Sequence, residues 1–256
     1  MQARLTVLGS GTSMGVPTIG CRCAVCRSSD PHDRRTRPST MLQYAGKVVL
    51  IDTTPDFREQ AIREEISRLD AVFYTHSHAD HILGLDDVRP LSFERREKIP
   101  LYARPDAAEV IRNTFRYIFN GNYKFGTMAQ VELKEVTGPI DLFGARFEPI
   151  PVLHGDTEIL GFRFGSAAYL TDHSEVPEAS LALLQDLDIL FLDALRYHPH
   201  PTHSTVDKSL QIVESVKPKR AFFTHICHDL SHEQANAALP PHVRLAYDGM
   251  KLDFEI

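Results

Sequence analysis

The sequence has no tryptophan and only four cysteines in 256 residues. It has no apolar run approaching the ~18 residues that a membrane span needs. Its start, Met1-Gln2-Ala3-Arg4-Leu5, runs straight into a strand-like stretch instead of the apolar core of a signal peptide. The expectation is a cytoplasmic protein with no membrane partner. Positive charge is also in short supply. Against 34 Asp and Glu stand 28 Lys and Arg, a net charge of −6, so no global basic field exists to hold a large nucleic-acid footprint. An anionic substrate must then be met by local cations, which include metals. Repeats and long linkers are absent, and 43% apolar residues exclude disorder, so a single domain over residues 1–256 is expected.

Histidine is what the chain has in plenty, with thirteen copies, and imidazole is the commonest metal ligand. Cys21, Cys23 and Cys26 crowd one short segment and Cys227 lies far away. In a chain without a secretion signal, that spacing suits a metal site better than a disulfide framework. The arginines Arg22, Arg27, Arg34, Arg35 and Arg37 lie near this segment and are candidates for an anionic entrance, although a solvated face is the commoner fate of such a run.

Periodicity places these residues. Arg4–Leu8, Lys47–Ile51, Ala71–Tyr74, Asp188–Leu192 and Arg220–Phe223 read as strands, and Gly161–Phe164 with Ala167–Leu170 as a hairpin. Helical spacing runs from Asp56 to Leu69 and from Arg104 to Phe119, where Gly121-Asn122-Tyr123 breaks it; a further helix starts near Val206. The helix at 104–119 suits core packing, with a homodimer face as the alternative. Two strand-rich blocks, residues 1–75 and 129–171, suit two sheets packed together with helices outside.

Chemistry-bearing residues follow these strands: Asp52, His76-Ser77-His78-Ala79-Asp80-His81, His154, Asp172, Asp193 and His225. Residues i and i+2 after a strand point the same way, so His76 and His78 can reach one ion, while Asp80 and His81 on the turn can face a second. Two ions ~3.5–4 Å apart clamp an anion and polarise a water between them.

The His-Ser-His-Ala-Asp-His segment resembles the HxHxDH signature of the metallo-β-lactamase superfamily, and nearly the whole chain follows that pattern. The resemblance implies an α/β fold, a four-layer αββα sandwich. It also implies a dinuclear site in which His76, His78 and His154 hold one zinc or manganese ion. Asp80, His81 and His225 would hold the other and Asp172 would bridge, with Asp52 orienting the ligand loop. The Cys21-x-Cys23-x-x-Cys26 loop is similar to that of the phosphodiesterase branch that opens cyclic ribose phosphates during phosphonate breakdown. There a zinc-binding loop, here at about 20–27, takes one structural zinc with a histidine three residues past the last active-site histidine. That position is His228, with Cys227 as the rival ligand.

His203-Ser204-Thr205 resembles the HxT element of the same branch, implying His203 as general acid and Asp80 as a partner of the reacting water. The expected function is metal-dependent hydrolysis of a small anionic phosphodiester. The alternatives are a transfer-RNA 3′-processing endonuclease, a quinone-cofactor synthesis protein that binds or oxidises a small molecule, and a non-enzymatic nucleotide sensor. The long basic arm of the first is missing between His81 and His154, and the last needs no general acid.

Overall fold

A computed structural model describes residues 1–93, 95–121 and 127–256. The turn expected at Gly121-Asn122-Tyr123 lies in part outside the described residues. Two seven-stranded sheets face each other. The first contains β1 (Gln2–Gly9), β2 (Ser39–Tyr44), β3 (Lys47–Ile51), β4 (Ala71–Phe73), β5 (Ile99–Ala103) and β6 (Val131–Glu135). The second contains β7 (Ile140–Leu142), β8 (Ala145–His154), β9 (Thr157–Phe164), β10 (Ala167–Leu170), β11 (Ile189–Asp193), β12 (Arg220–Thr224) and β13 (Val243–Leu245). The final strand, β14 (Lys251–Glu255), returns to pair with β1 at the edge of the first sheet. The two sheets were legible, but their membership was not: β6 and β14 join the first sheet.

Alternation along the strands explains the layers. Val49 and Ile51 of β3 face the core between the sheets, whereas Leu50 faces the core under the helices of the first sheet. On β11, Ile189 and Phe191 point between the sheets, while Leu190 and Leu192 point to the outer helices of the second. Strands buried on both faces read as continuous apolar runs, which is how these segments appear in the sequence. Phe73 of β4 stacks on Phe147 of β8 with ring centroids 4.5 Å apart, joining the sheets at their middle. Each such phenyl ring contributes about 1.5–3 kcal/mol by leaving water.

The helices are α1 (Phe57–Arg63), α2 (Ala79–Ile82), α3 (Pro105–Thr114), α4 (Arg116–Phe119), α5 (Glu178–Ala182), α6 (Val206–Val216) and α7 (His232–Ala238). The expected helix from Asp56 to Leu69 stops early because Glu65 turns left-handed at φ 52°. The Ile66 amide then closes the end by donating to the Ala61 carbonyl at 2.8 Å. The expected helix at 104–119 breaks at Phe115 into α3 and α4. Ala107, Ala108 and Ile111 of α3 are buried in the outer core of the first sheet, so this face packs inward. No helix among the described residues is long and apolar enough to cross a membrane.

This arrangement gathers strand ends. Strands β10, β11 and β12 are mutually parallel, as are β3 and β4, so their C-terminal ends open on a common edge. Beyond these ends the backbone turns sharply, with Asp52 at φ 66°, Asp172 at φ 58° and His225 at φ 57°. Left-handed geometry at a residue other than glycine costs about 1–3 kcal/mol and persists where the surroundings over-determine it. The three side chains it aims all enter the site described next.

Candidate metal centre

Two ligand groups meet at this edge. His76, His78 and His154 place their ligand atoms within 4.8 Å of one another, and so do Asp80, His81, Asp172 and His225. Within the second group, His81 Nε2 lies 3.3 Å from Asp80 Oδ2 and 3.4 Å from Asp172 Oδ1. His225 Nε2 lies 3.1 Å from Asp172 Oδ2 and 3.7 Å from Asp80 Oδ2. The His76 and His81 rings are 4.1 Å apart, so the groups adjoin. Asp172 also comes within ligand reach of His154, which puts its carboxylate between them. Asp80 and His81 stand on α2, whose first turn begins directly after His78.

Hydrogen bonds fix which ring nitrogen faces inward. His81 Nδ1 donates to Asp52 Oδ2 at 2.7 Å, and His154 Nδ1 donates to the Thr202 carbonyl at 2.8 Å. Thr75 Oγ1 donates to Asp52 Oδ2 at 2.9 Å, which leaves it to accept from His76 Nδ1 at 3.0 Å. Each of these rings therefore presents Nε2, as metal-binding imidazoles do when their other nitrogen is tied. The result is a set of orphans: Nε2 of His76, His81 and His225 and Oδ2 of Asp80 are buried with no hydrogen-bond partner. Leaving such atoms unmet costs about 1–3 kcal/mol apiece. Converging imidazole nitrogens and carboxylate oxygens fit divalent cations of the zinc or manganese kind.

The electrostatics agree with that fit. Burial keeps His76, His78 and His154 below the ordinary imidazole range, so they stand neutral, with lone pairs available. Around His225 burial opposes charge, but Asp172 and Asp80 outweigh it and hold the ring at about 9. Burial likewise opposes charge on His81, and the carboxylates of Asp172, Asp80 and Asp52 override it. Burial alone would raise Asp80 and Asp172; the neighbouring imidazoles instead keep both well below the usual carboxylate range. The centre thus favours positive charge.

A second cluster lies beside it. Cys21, Cys23 and Cys26 surround His228 Nδ1 with their Sγ atoms at 3.2, 3.7 and 3.4 Å. Legs of ~2.3 Å to sulfur and ~2.05 Å to nitrogen at tetrahedral angles give an edge of about 3.6 Å, close to these separations. The donor set therefore fits one closed, four-coordinate zinc. Cys227 is outside the group; its buried sulfur accepts from the Asp229 amide at 3.4 Å.

His203 sits over the first cluster. Its ring is 4.8 Å from that of His154 and stacks on His225 at 4.6 Å. His203 Nδ1 shares a 2.7 Å hydrogen bond with Oδ2 of Asp193, whose Oδ1 accepts the Leu195 amide at 3.0 Å. Burial raises the Asp193 carboxyl and lowers His203 to about 4, favouring the uncharged pair. That form and the imidazolium–carboxylate form hold the same two protons, so either one presents an N–H at Nε2. The sequence marks Asp193, like Asp52 and Asp172, as an acid at the end of an apolar strand but gives it no role; its bond to His203 supplies one.

His200 stands beside the site, its ring 5.0 Å from that of His203. The arginine run resolves differently from the entrance reading. Arg35 does not line an entrance: it is buried, donates to Ser10 Oγ at 2.8 Å and meets His232 Nδ1 at 3.2 Å. Arg37 pairs with Asp56 at 2.8 Å. His232, unassigned by sequence, stacks on His32 at 4.5 Å.

Residues 47–226 match the model of a beta-lactamase superfamily domain. The chain belongs to the metallo-β-lactamase superfamily. Within that superfamily it is similar to a solved structure described as a new diphosphatase from the PhnP family. The two share 63% identity at a TM-score of 0.94, over 99% of this chain and 98% of that one. Zinc-bound PqqB from Methylobacterium extorquens, 19% identical, aligns over 98% of this chain and all of its own at a TM-score of 0.80, and shares the fold. Among curated proteins, an octanoyltransferase of Porphyromonas gingivalis is 38% identical over 97% of this chain and 51% of its own length. The chain spans about half the length of the curated relatives it matches.

Proposed function

We propose that this metallo-β-lactamase hydrolase is a metal-dependent phosphodiesterase acting on a small anionic substrate, a cyclic ribose or nucleotide phosphodiester. The observation that carries the reading is the Asp193–His203 pair, 2.7 Å between heteroatoms, standing over the ligand cluster. In this reading His76, His78 and His154 would hold one divalent ion and Asp80, His81 and His225 a second, with the Asp172 carboxylate, within reach of both groups, shared between them. When bound, the two ions supply charge neutralisation and an activated water. The protein's own groups do the rest. Asp80 orients the attacking water while ligating, and Asp52 keeps His81 in register through its 2.7 Å bond. His203 Nε2 delivers a proton to the departing alkoxide, a poor leaving group without one. Cys21, Cys23, Cys26 and His228 would hold a structural zinc that ties the N-terminal loop to the segment carrying His225.

The test is hydrolysis of bis(p-nitrophenyl) phosphate and of 2′,3′- or 1,2-cyclic ribose phosphates. His78→Ala abolishes turnover of both kinds. His203→Ala slows the cyclic phosphates, with their alkoxide leaving groups, far more than the p-nitrophenyl ester. Wild-type rates in both variants would overturn the reading.

A second reading rests on the 63% identical protein described as a diphosphatase. Cleavage of a phosphoanhydride releases a phosphate that is already a stable anion, so the acid matters little there. A diphosphate substrate turned over equally by wild type and His203→Ala would favour this alternative. The octanoyl transfer named for the Porphyromonas relative belongs to a protein about twice as long, and no feature of this site calls for it.

A further inference from the structure

We infer that Gly155 is a positioning residue: acting through Thr202, it sets how closely the acid His203 approaches the metal-ligand cluster. The inference rests on the phosphodiesterase reading and deepens it.

Gly155 is the first of the two residues that turn β8 into β9, where His154 pairs with Thr157. Its φ of +61° suits a two-residue turn that places glycine first. The hairpin tip is held from one side, because the Gly155 amide donates to Ser174 Oγ at 3.0 Å and Ser174 Oγ donates to the Leu153 carbonyl at 3.0 Å. On the other side lies the loop between β11 and α6. A Cβ built on Gly155 would stand 3.0 Å from Thr202 Cγ2 and 3.8 Å from Thr202 Cβ, so Thr202 would have to yield by a few tenths of an ångström.

Thr202 is poorly placed to yield without consequence. Its carbonyl accepts from His154 Nδ1 at 2.8 Å, and the next residue is His203. The loop cannot slide as a whole, since the Leu195 amide donates to the Ser204 carbonyl and the Val206 amide to the Arg196 carbonyl, each at 3.1 Å. A push at Thr202 therefore falls on the spacing between the ligand His154 and the acid His203. The missing side chain at position 155 is what lets one loop both orient a metal ligand and carry the proton donor.

The experiment compares Gly155→Ala, Thr202→Ser and the double variant on a 2′,3′-cyclic nucleotide and on bis(p-nitrophenyl) phosphate, with metal content measured in each. A misplacement of ~1 Å can cost ~10²-fold, so Gly155→Ala should lower kcat about three- to tenfold on the cyclic nucleotide and about twofold or less on the p-nitrophenyl ester. Its metal content should match the wild type. Thr202→Ser removes Cγ2, so the double variant should regain most of that loss, whereas mere strain in the turn would not be relieved. Should Gly155→Ala fail to fold, Thr202→Ile adds bulk from the loop side, leaves the turn untouched and must show the same leaving-group selectivity.

Equal losses on both substrates, lost metal, or no recovery in the double variant would overturn the positioning role and leave the phosphodiesterase reading standing. A metal-replete wild type inactive on both esters would instead remove that reading, and this inference with it.

Discussion

Buried Asp193 and half-buried His203 form a pair, Oδ2 to Nδ1 2.7 Å, in which the same carboxylate oxygen also stands 3.7 Å from His225 Nδ1. One acid thus faces both the proposed proton donor and a histidine of the ligand-type cluster. Asp193→Asn keeps the shape but cannot hold the second proton, so Nε2 of His203 loses its acidity. Since positioned acid catalysis is worth ~10²–10⁴-fold, kcat on a cyclic phosphate should fall about 10²-fold or more. The loss on a p-nitrophenyl ester should be below about tenfold, with full metal content. Kinetics across leaving groups of graded basicity check this; a uniform loss would mean that Asp193 serves only to pack the strand end.

The sequence carried more of the clustered imidazoles and carboxylates than of their supports. His76, His78, Asp80 and His81 were legible because they fall in one segment after an apolar strand, a local pattern. His154, Asp172 and His225 are isolated in the chain, and their convergence depends on β8, β10 and β12 ending at one edge, which only the family resemblance supplied. Asp193 was visible as an acid at a strand end, but its partner was not, and Thr202 was not legible because its role lies in a backbone bond to the distant His154 ring. Arg35 misled for the related reason that burial is invisible in a run of charges. The helix ends at Glu65 and Phe115 were missed because left-handed or broken backbone at those residues has no glycine to announce it.

Asp52 offers a test of the metal centre apart from turnover. Its carboxylate accepts from the Thr75 amide at 2.9 Å, from Thr75 Oγ1 at 2.9 Å and from His81 Nδ1 at 2.7 Å. Asp52→Asn replaces one of those acceptors with a donor and leaves His81 free to turn its ring. Outer partners of this kind typically contribute 10–100-fold in metal affinity. Competition with a chelating dye should show one ion weakened by about that factor while zinc at the cysteine loop is retained. Unchanged affinity for both would remove Asp52 from the support of the centre.

The cysteine loop predicts a separable metal. With three sulfurs around His228 Nδ1, Cys23→Ser should release about one zinc per chain and leave the other two ions in place. Because binding energy at a closed zinc site is folding energy, the melting temperature should drop as well. The Ile226 amide donates to the Ser10 carbonyl at 3.0 Å and the Thr12 amide to the Ile226 carbonyl at 3.0 Å, so loosening reaches the segment that carries His225. Cys227→Ser, by contrast, should keep all the metal. If Cys227→Ser were the variant that lost zinc, the assignment of His228 would be wrong.

Far from any ligand, Asp70 sets an acid limb of stability. It is buried, yet it accepts from Arg68 Nε at 2.7 Å, from the Val48 amide at 2.9 Å and from Arg95 Nη1 at 3.2 Å. Burial would raise its pKa; the bonds from Arg68, Val48 and Arg95 prevail and hold it at about 2. An unfolded aspartate titrates near ~3.9. The folded value is the lower one, so the stabilisation is complete above about 4 and is lost as the pH falls from there through about 2. Asp70→Asn should destabilise the protein by roughly 1–3 kcal/mol near neutrality, the cost of unmet charged hydrogen bonds. Urea unfolding of wild type and variant, both stripped of metal so that their metal state is the same at pH 7 and pH 3.5, tests both statements: the gap between them must be wide at the first and narrower at the second. A gap that stayed constant would show that Asp70 acts through shape and not through its charge.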